Sequence, residues 1–185
     1  MSIPHIPTPA KRVCSVLSAA LDTLWPETLA GLNALFGPAD LVSEPLPFDF
    51  TSYYDREFGS PIFRRFVSFA RLAPQDDLVR AKLATNALEA RLADAAGRRR
   101  VNCDPGILTQ ERLVLATGKN FTHRVYLGQG IYADLTLVFQ AGSWQTLPWT
   151  FPDYASPPMR ELLTAIRDRY RQDLRELPSP NAVAK

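Results

Sequence analysis

Proline placement constrains this chain more than any other feature. Of its 16 prolines only Pro105 falls within residues 75–147, whereas six of the nine glycines (97, 106, 118, 128, 130 and 142) fall there. Proline is excluded from helix interiors and central strands, and glycine supplies tight turns. Residues 75–147 should therefore form a regular block joined by glycine turns, carried between less regular flanks. Pro4, Pro7 and Pro9 mark residues 1–10 as an extended arm, and Pro178 and Pro180 mark residues 177–185 as a tail. Residues 11–176 then make a single globular domain, long enough to need no disulfide or metal staple.

Hydrophobic periodicity fills in the elements. A strand is expected over residues 12–19, around Val13, Val16 and Leu17. A helix follows with Pro26 in its first turn, a stripe of Leu29, Leu32, Leu35 and Phe36, and a stop at Gly37-Pro38. The alternation of Phe48-Asp49-Phe50 predicts a strand over residues 48–54, and FRRFVSFARL predicts its antiparallel neighbour over 63–72. Residues 76–95 read as a helix, with Asp76 and Asp77 at its positive end, Leu78, Val79, Leu83, Leu88 and Leu92 inward, and Gly97 ending it. A short strand over 100–104 runs into an Asp104-Pro105-Gly106 turn. Residues 113–117 form a further strand, residues 123–127 and 131–139 a hairpin, and Pro157-Pro158 opens an amphipathic C-terminal helix.

Strand, helix, strand, strand, helix, strand is the order of a ferredoxin-like split β-α-β unit, here extended by further antiparallel strands and a C-terminal helix. The expected class is α+β with a mostly antiparallel sheet, because too few helices separate the strands for parallel crossovers.

Composition removes several function classes. With 21 basic and 19 acidic residues, the chain offers no bulk electrostatic reason to bind nucleic acid or an anionic membrane. No run of 18 apolar residues occurs and the N-terminal arm lacks an apolar signal segment, so the expected setting is cytoplasmic without a membrane partner. Cys14 and Cys103 are too few for a disulfide framework or a metal clip and read as small buried hydrophobes. A structural zinc site lacks ligands. Gly118-Lys119-Asn120 lacks the Ser or Thr that follows the lysine of a phosphate-binding P-loop, and Leu113 stands where its first glycine would be.

Many local motifs remain. They include Phe50-Thr51-Ser52-Tyr53-Tyr54 with Glu57 and Gly59, Lys82-Leu83-Ala84-Thr85-Asn86 with Glu89, and Val101-Asn102-Cys103-Asp104-Pro105-Gly106. Leu115-Ala116-Thr117 with Lys119, His123-Arg124, Gly130-Ile131-Tyr132-Ala133 and Trp149-Thr150-Phe151-Pro152-Asp153-Tyr154 complete the set. Together they resemble the uncharacterised bacterial family catalogued as domain of unknown function 4416, over residues 11–170. The resemblance implies a fold and a bacterial cytosolic setting rather than a reaction.

The chemistry must be argued from the polar residues themselves. Lys82, Asn86 and Glu89 sit at i, i+4 and i+7 and share one helix face, which reads either as solvated or as one wall of a site. Asn102 and Asp104 share a strand face, unless Asp104 merely starts the turn. A three-residue loop at 128–130 would set Tyr126 opposite Tyr132 and Arg124 opposite Asp134; a two-residue loop would break that register. Strand alternation sends His123 away from Arg124, whereas a place in the preceding turn would bring it beside Lys119 and Arg124. Trp144, Trp149 and Phe151 read as packing for the last helix or as lining of a slot.

Two functions follow. In the first, a site binds or processes a small anionic ligand, a nucleotide or phosphorylated metabolite. Lys82, Lys119 and Arg124 would hold the anion, with Asn86, Asn102 and Tyr132 orienting it. Asp104, Asp134, Glu89 and His123 would do acid-base work, or the three carboxylates would hold a divalent cation such as magnesium (Mg2+). In the second, the protein is a non-catalytic interaction or structural module whose polar motifs are internal ion pairs and turns.

Overall fold

The computed structural model of the protein describes residues 2–51 and 55–177, with backbone alone at residues 55 and 56. In chain order these residues form β1 (Ala10–Ser18), α1 (Leu21–Phe36), β2 (Ala39–Val42), β3 (Leu46–Pro47), α2 (Asp55–Phe58), β4 (Phe63–Ala73) and α3 (Leu78–Arg91). There follow β5 (Asn102–Leu108), β6 (Arg112–Thr117), β7 (Arg124–Gly128), β8 (Ile131–Gln140), β9 (Ser143–Thr146), α4 (Pro152–Ala155) and α5 (Pro157–Glu176). The strands join one antiparallel sheet in the order β2-β4-β1-β5-β6-β8-β7, with β3 beside β4 and β9 beside β8. The class is α+β with a C-terminal helix, as the element order implied.

Strand alternation divides the core between the two faces of this sheet. Cys14, Val16, Val67 and Phe69 pack with Leu32 and Phe36 of α1 and Leu88 of α3. Val13, Phe66, Leu108 and Leu137 pack with Met159, Leu163, Ile166 and Tyr170 of α5. Every residue of β1 is buried, because β4 and β5 cover its edges and helices its faces. A strand enclosed on both faces loses polar alternation, which is why its period is imperfect in the sequence.

Several elements differ from the sequence-based expectation. Residues 48–51 lie outside any strand, and the rest of the strand expected over 48–54 lies outside the described residues. The partners of β4 are β1, β2 and β3 instead. Helix α1 begins five residues before Pro26, and its buried face runs through Leu21, Leu24, Thr28 and Leu32 while Leu35 is exposed. Helix α3 stops at Arg91 rather than near 95, Leu83 is exposed, and the buried face includes Lys82, Thr85 and Glu89. Ala10, placed in the arm, opens β1 and is fully buried. The arm is also tied down, with Tyr170 Oη donating to the carbonyl of Pro9 at 2.7 Å.

Asp104-Pro105-Gly106 makes no turn. It lies within β5, opposite Ser15, Cys14 and Val13 of β1. The glycine is needed for close approach: a Cβ on Gly106 would lie 2.6 Å from the carbonyl oxygen of Val114 on β6. Beyond this crossing the sheet opens. Strands β5 and β6 pair only at Gly106↔Leu115, Ile107↔Val114 and Leu108↔Leu113, while β5 runs back to Asn102 along β1 and β6 runs on to Thr117 along β8. No helix among the described residues is long and apolar enough to cross a membrane. Cys14 and Cys103 are free and buried.

Candidate functional site

Cys103 pairs with Val16 of β1 on one side, but the opening between β5 and β6 leaves its other backbone edge without a strand partner among the described residues, and α3 supplies one. Glu89 Oε1 accepts the Cys103 N–H at 2.7 Å, and Lys82 Nζ donates to the Cys103 carbonyl at 2.7 Å. Two side chains two helical turns apart therefore take the ladder positions that β6 has vacated. Pro105 points its backbone the same way as Cys103, by strand alternation, and has no N–H to satisfy there.

These contacts explain why a lysine and a glutamate lie on a buried helix face. Lys82 Nζ also bonds Asp104 Oδ1 at 3.0 Å and lies 3.7 Å from Glu89 Oε1. The second oxygen of Asp104 accepts from Asn102 Nδ2 at 2.6 Å. Asn102 Oδ1 in turn accepts from Arg99 Nη1 at 2.8 Å, a donor shared with Glu89 Oε2 at 3.2 Å. Arg99 closes the network with a bidentate pair to Glu57, 2.7 Å for each bond. That pair holds the Glu57 carboxyl below its ordinary range.

The network polarises its members in different directions. Burial pulls the Lys82 ammonium down, but Asp104 and Glu89 outweigh it and raise it above the ordinary lysine range. Burial works against the Asp104 carboxylate too, yet the charge of Lys82 and hydrogen bonds from Lys82 and Asn102 hold it below its ordinary value. Burial raises Glu89, and Lys82, the Cys103 N–H and Arg99 offset only part of that rise.

The facing wall comes from the end of β6 and from the β7–β8 hairpin. Arg124 lies opposite Asp134, and its Nε donates to Asp134 Oδ2 at 2.8 Å. Its Nη1 donates to the carbonyl of Lys119 at 3.0 Å. The register is the one expected of a three-residue loop, reached by another route. Gly128 faces Ile131, Gln129 and Gly130 make a two-residue turn with positive φ, and a shift between Tyr126 and Gly128 restores the pairing. His123 lies in the turn before β7 rather than in the strand, so its Nε2 reaches Asp134 Oδ2 at 3.2 Å.

The two walls enclose a cleft of about 340 Å³. Of the residues singled out from the sequence, Lys82, Asn86, Asn102, Asp104, Lys119, Arg124 and Asp134 line it, and Glu89 is buried behind Lys82. Tyr132 does not join them; its ring packs against Tyr126 at 5.2 Å between centroids. The ion pair between Arg124 and Asp134 forms and also faces the opening, so the two readings of that register coexist. Among the described residues no three His, Cys, Asp or Glu side chains come together to hold a metal ion. Glu89 and Asp104 instead share Lys82, and Asp134 serves Arg124 and His123.

The sequence does not single out Arg99, and of the adjoining cavity it shows only the slot suggested by Trp149 and Phe151. Arg99 sits in the run Arg98-Arg99-Arg100, where residue type alone does not separate it from Arg98; their side chains are 30% and 80% exposed. The cavity, of about 560 Å³, is walled by the rings of Phe48, Phe50, Phe121, Trp149, Phe151 and Tyr154. It shares Asp104, Lys119, Arg124 and Phe151 with the cleft, so the two are confluent. Trp149 anchors the wall by donating Nε1 to the carbonyl of Leu135 at 2.8 Å, and His123 stacks on its ring at 5.0 Å and 7°. The guanidinium of Arg64 lies between the rings of Phe48 and Tyr154, at 4.9 and 4.7 Å, and pairs with Asp153. Trp149 and Phe151 beside their prolines were the sequence signal for this cavity; Trp144 instead belongs to the core under α5.

The model of the family described as Domain of unknown function (DUF4416) matches residues 8–170. No curated protein and no solved structure matches the chain.

Proposed function

We propose, for a chain that belongs to the domain of unknown function 4416 family, that the cleft between β5 and β6 binds a small anionic ligand of the nucleotide or phosphorylated-metabolite class. One observation carries this reading: charged residues from α3, β5, the β6–β7 connection, β7 and β8 converge on a concavity held open by the divergence of two strands. Arg124 would make the first contact, because its Nη2 has no hydrogen-bond partner among the described residues and a planar guanidinium suits phosphate or carboxylate. Asn86 is exposed at the cleft wall and would orient the ligand.

His123 and Asp134 have the makings of an acid-base couple. A carboxylate only accepts, so the proton between them sits on His123 Nε2, and Nδ1 keeps its lone pair when the ring is neutral. The second reading, an interaction or structural module, is favoured by one specific feature: Lys82, Arg99 and Arg124 each already have a carboxylate partner.

A thermal-shift series with nucleotides, sugar phosphates and inorganic phosphate, each with and without magnesium, separates the two. A ligand at a hundred times its Kd stabilises by about 2.7 kcal/mol, which is about 5–10 °C for a chain of this size. The anion-site reading expects such a rise with at least one phosphorylated compound and its loss in Arg124→Ala and Asp104→Ala. A melting temperature indifferent to every compound leaves the module reading standing.

A further inference from the structure

We infer that the ligand of this site carries a planar heteroaromatic ring, lodged in the aromatic cavity beside the cleft while its anionic group lies at Arg124. The inference rests on the anion-site reading and narrows it, from phosphorylated compounds in general to nucleotides and molecules built like them.

The cavity has the chemistry of a ring site rather than of an acyl-chain site. Phe50, Phe121, Trp149 and Phe151 are each more than a third exposed although they face one another across a cavity. Rings held in this way offer π-faces, and a flat ligand stacked on them gains contact area with little loss of conformational freedom. Trp149 is already held by its bond to Leu135 and by the stacked imidazole of His123, so its face is preorganised.

The polar atoms of the wall separate a heteroaromatic ring from a hydrocarbon one. His123 and Arg64 both line the cavity, and their side chains are 6% and 7% exposed. Each holds a buried nitrogen with no hydrogen-bond partner among the described residues, His123 Nδ1 and Arg64 Nε. Buried polar atoms are nearly always paired in folded proteins. With Nε2–H committed to Asp134, Nδ1 of the neutral ring is an acceptor, while Arg64 Nε–H is a donor. A ring with polar edge atoms is the kind of ligand that can partner nitrogens of this wall; a hydrocarbon ring partners neither.

The junction fixes the order of the two ends. Arg124 and Phe151 border both compartments, one a fixed cation and the other an aromatic ring. A molecule with a ring and an anionic group joined by a short polar spacer would place the spacer between them. The two volumes lie within the range of ordinary ligand pockets.

Titration calorimetry on the whole chain tests this with the four ribonucleoside 5′-mono- and triphosphates, their nucleosides, flavin mononucleotide, ribose 5-phosphate and inorganic phosphate. At least one nucleotide is expected to bind about tenfold or more tightly than ribose 5-phosphate. Phe121→Ala and Trp149→Ala should remove that excess and leave ribose 5-phosphate unaffected, while Trp149→Phe, which keeps a ring, retains most of it. Phe121 is well exposed, so its variant keeps the test usable should Trp149→Ala misfold. Equal affinity for ribose 5-phosphate and every nucleotide, with Arg124→Ala abolishing both, overturns the ring inference and keeps the anion site. A nucleoside that binds while Arg124→Ala changes nothing keeps the ring cavity and overturns the anion site. Binding by none of the probes overturns both.

Discussion

Two lysines of this chain are buried among carboxylates, and they stand in opposite kinds of sheet. Lys11 lies on the central strand, paired across both edges with Leu72 and Leu108. Its fully buried ammonium bridges Asp40 of β2 and Asp173 of α5, the latter at 2.6 Å, and Asp40 also accepts from Ser68. Lys82 lies on a helix against a strand whose other neighbour has turned away, and its partner Asp104 is 29% exposed and lines the cleft. The pairing chemistry is the same in both places, one ammonium between two carboxylates. Continuity of the backbone pairing makes the difference. Closed strands turn the ion cluster into a brace, and diverging strands turn it into a wall. Paired charges at the cleft are therefore no sign by themselves that the cleft is filler.

Removing each ammonium tests that contrast most strongly. Lys11→Met leaves Asp40, only 10% exposed, without its main cation and should cost about 3–5 kcal/mol. Lys82→Met should cost less, about 1–2 kcal/mol, because Asp104 is only partly buried and keeps its bond from Asn102, and Glu89 keeps Arg99 as a partner. Urea unfolding of both variants gives the order directly, and equal or reversed losses would dissolve the distinction between brace and wall.

The pivot of the opening is the next target. Gly106→Ala puts a methyl group 2.6 Å from the backbone oxygen of Val114, and a backbone atom in a sheet yields poorly, so the expected loss is about 1–3 kcal/mol. Gly118→Ala, at the cleft wall with nothing within 4 Å, should stay within about 0.5 kcal/mol of the parent. Similar losses at the two glycines would show that the crossing of β5 and β6 is not tightly set.

The same contrast separates what the sequence could tell from what it could not. Elements with a period of their own, such as β6 and α5, were legible because burial of one face leaves a local trace. The pairing of Arg124 with Asp134 was legible only as one of two registers, because the sequence shows a glycine turn but not the shift between Tyr126 and Gly128 that lets a two-residue turn keep it. Edge strands β2, β3 and β9 run for four, two and four residues, too short to show a period. Asp104-Pro105-Gly106 misled because local turn chemistry and a tertiary crossing call for the same residues: glycine for close approach and proline where no donor is needed. Lys82 and Glu89 were visible as residue types, but their burial depends on the bare backbone of Cys103, which appears only once β5 and β6 diverge. The aromatic cavity joins residues as far apart as Leu17 and Tyr154, and no local pattern reaches that far.

The smallest expected effect probes the wall from within, through pH. Around one ammonium, burial leaves Glu89 above its ordinary value of 4.5, while Lys82 and Asn102 leave Asp104 below its ordinary value of 3.8 despite burial. Between 4.5 and the raised value the folded protein binds more protons at Glu89 than the unfolded chain does. That contribution is complete below pH 4.5 and is lost as pH rises. Between the lowered value and 3.8 the unfolded chain binds more protons at Asp104, so that contribution is complete above pH 3.8 and is lost as pH falls. The two slopes have opposite signs and lie in adjacent windows. Relative to the parent, Glu89→Gln should therefore gain stability as pH rises above 4.5, and Asp104→Asn should gain stability as pH falls below 3.8. Urea midpoints taken from pH 3 to 7 give both difference curves. If both variants track the parent across the range, the carboxylates of the wall sit in ordinary solvent, and the cleft is a surface groove rather than an enclosed polar site.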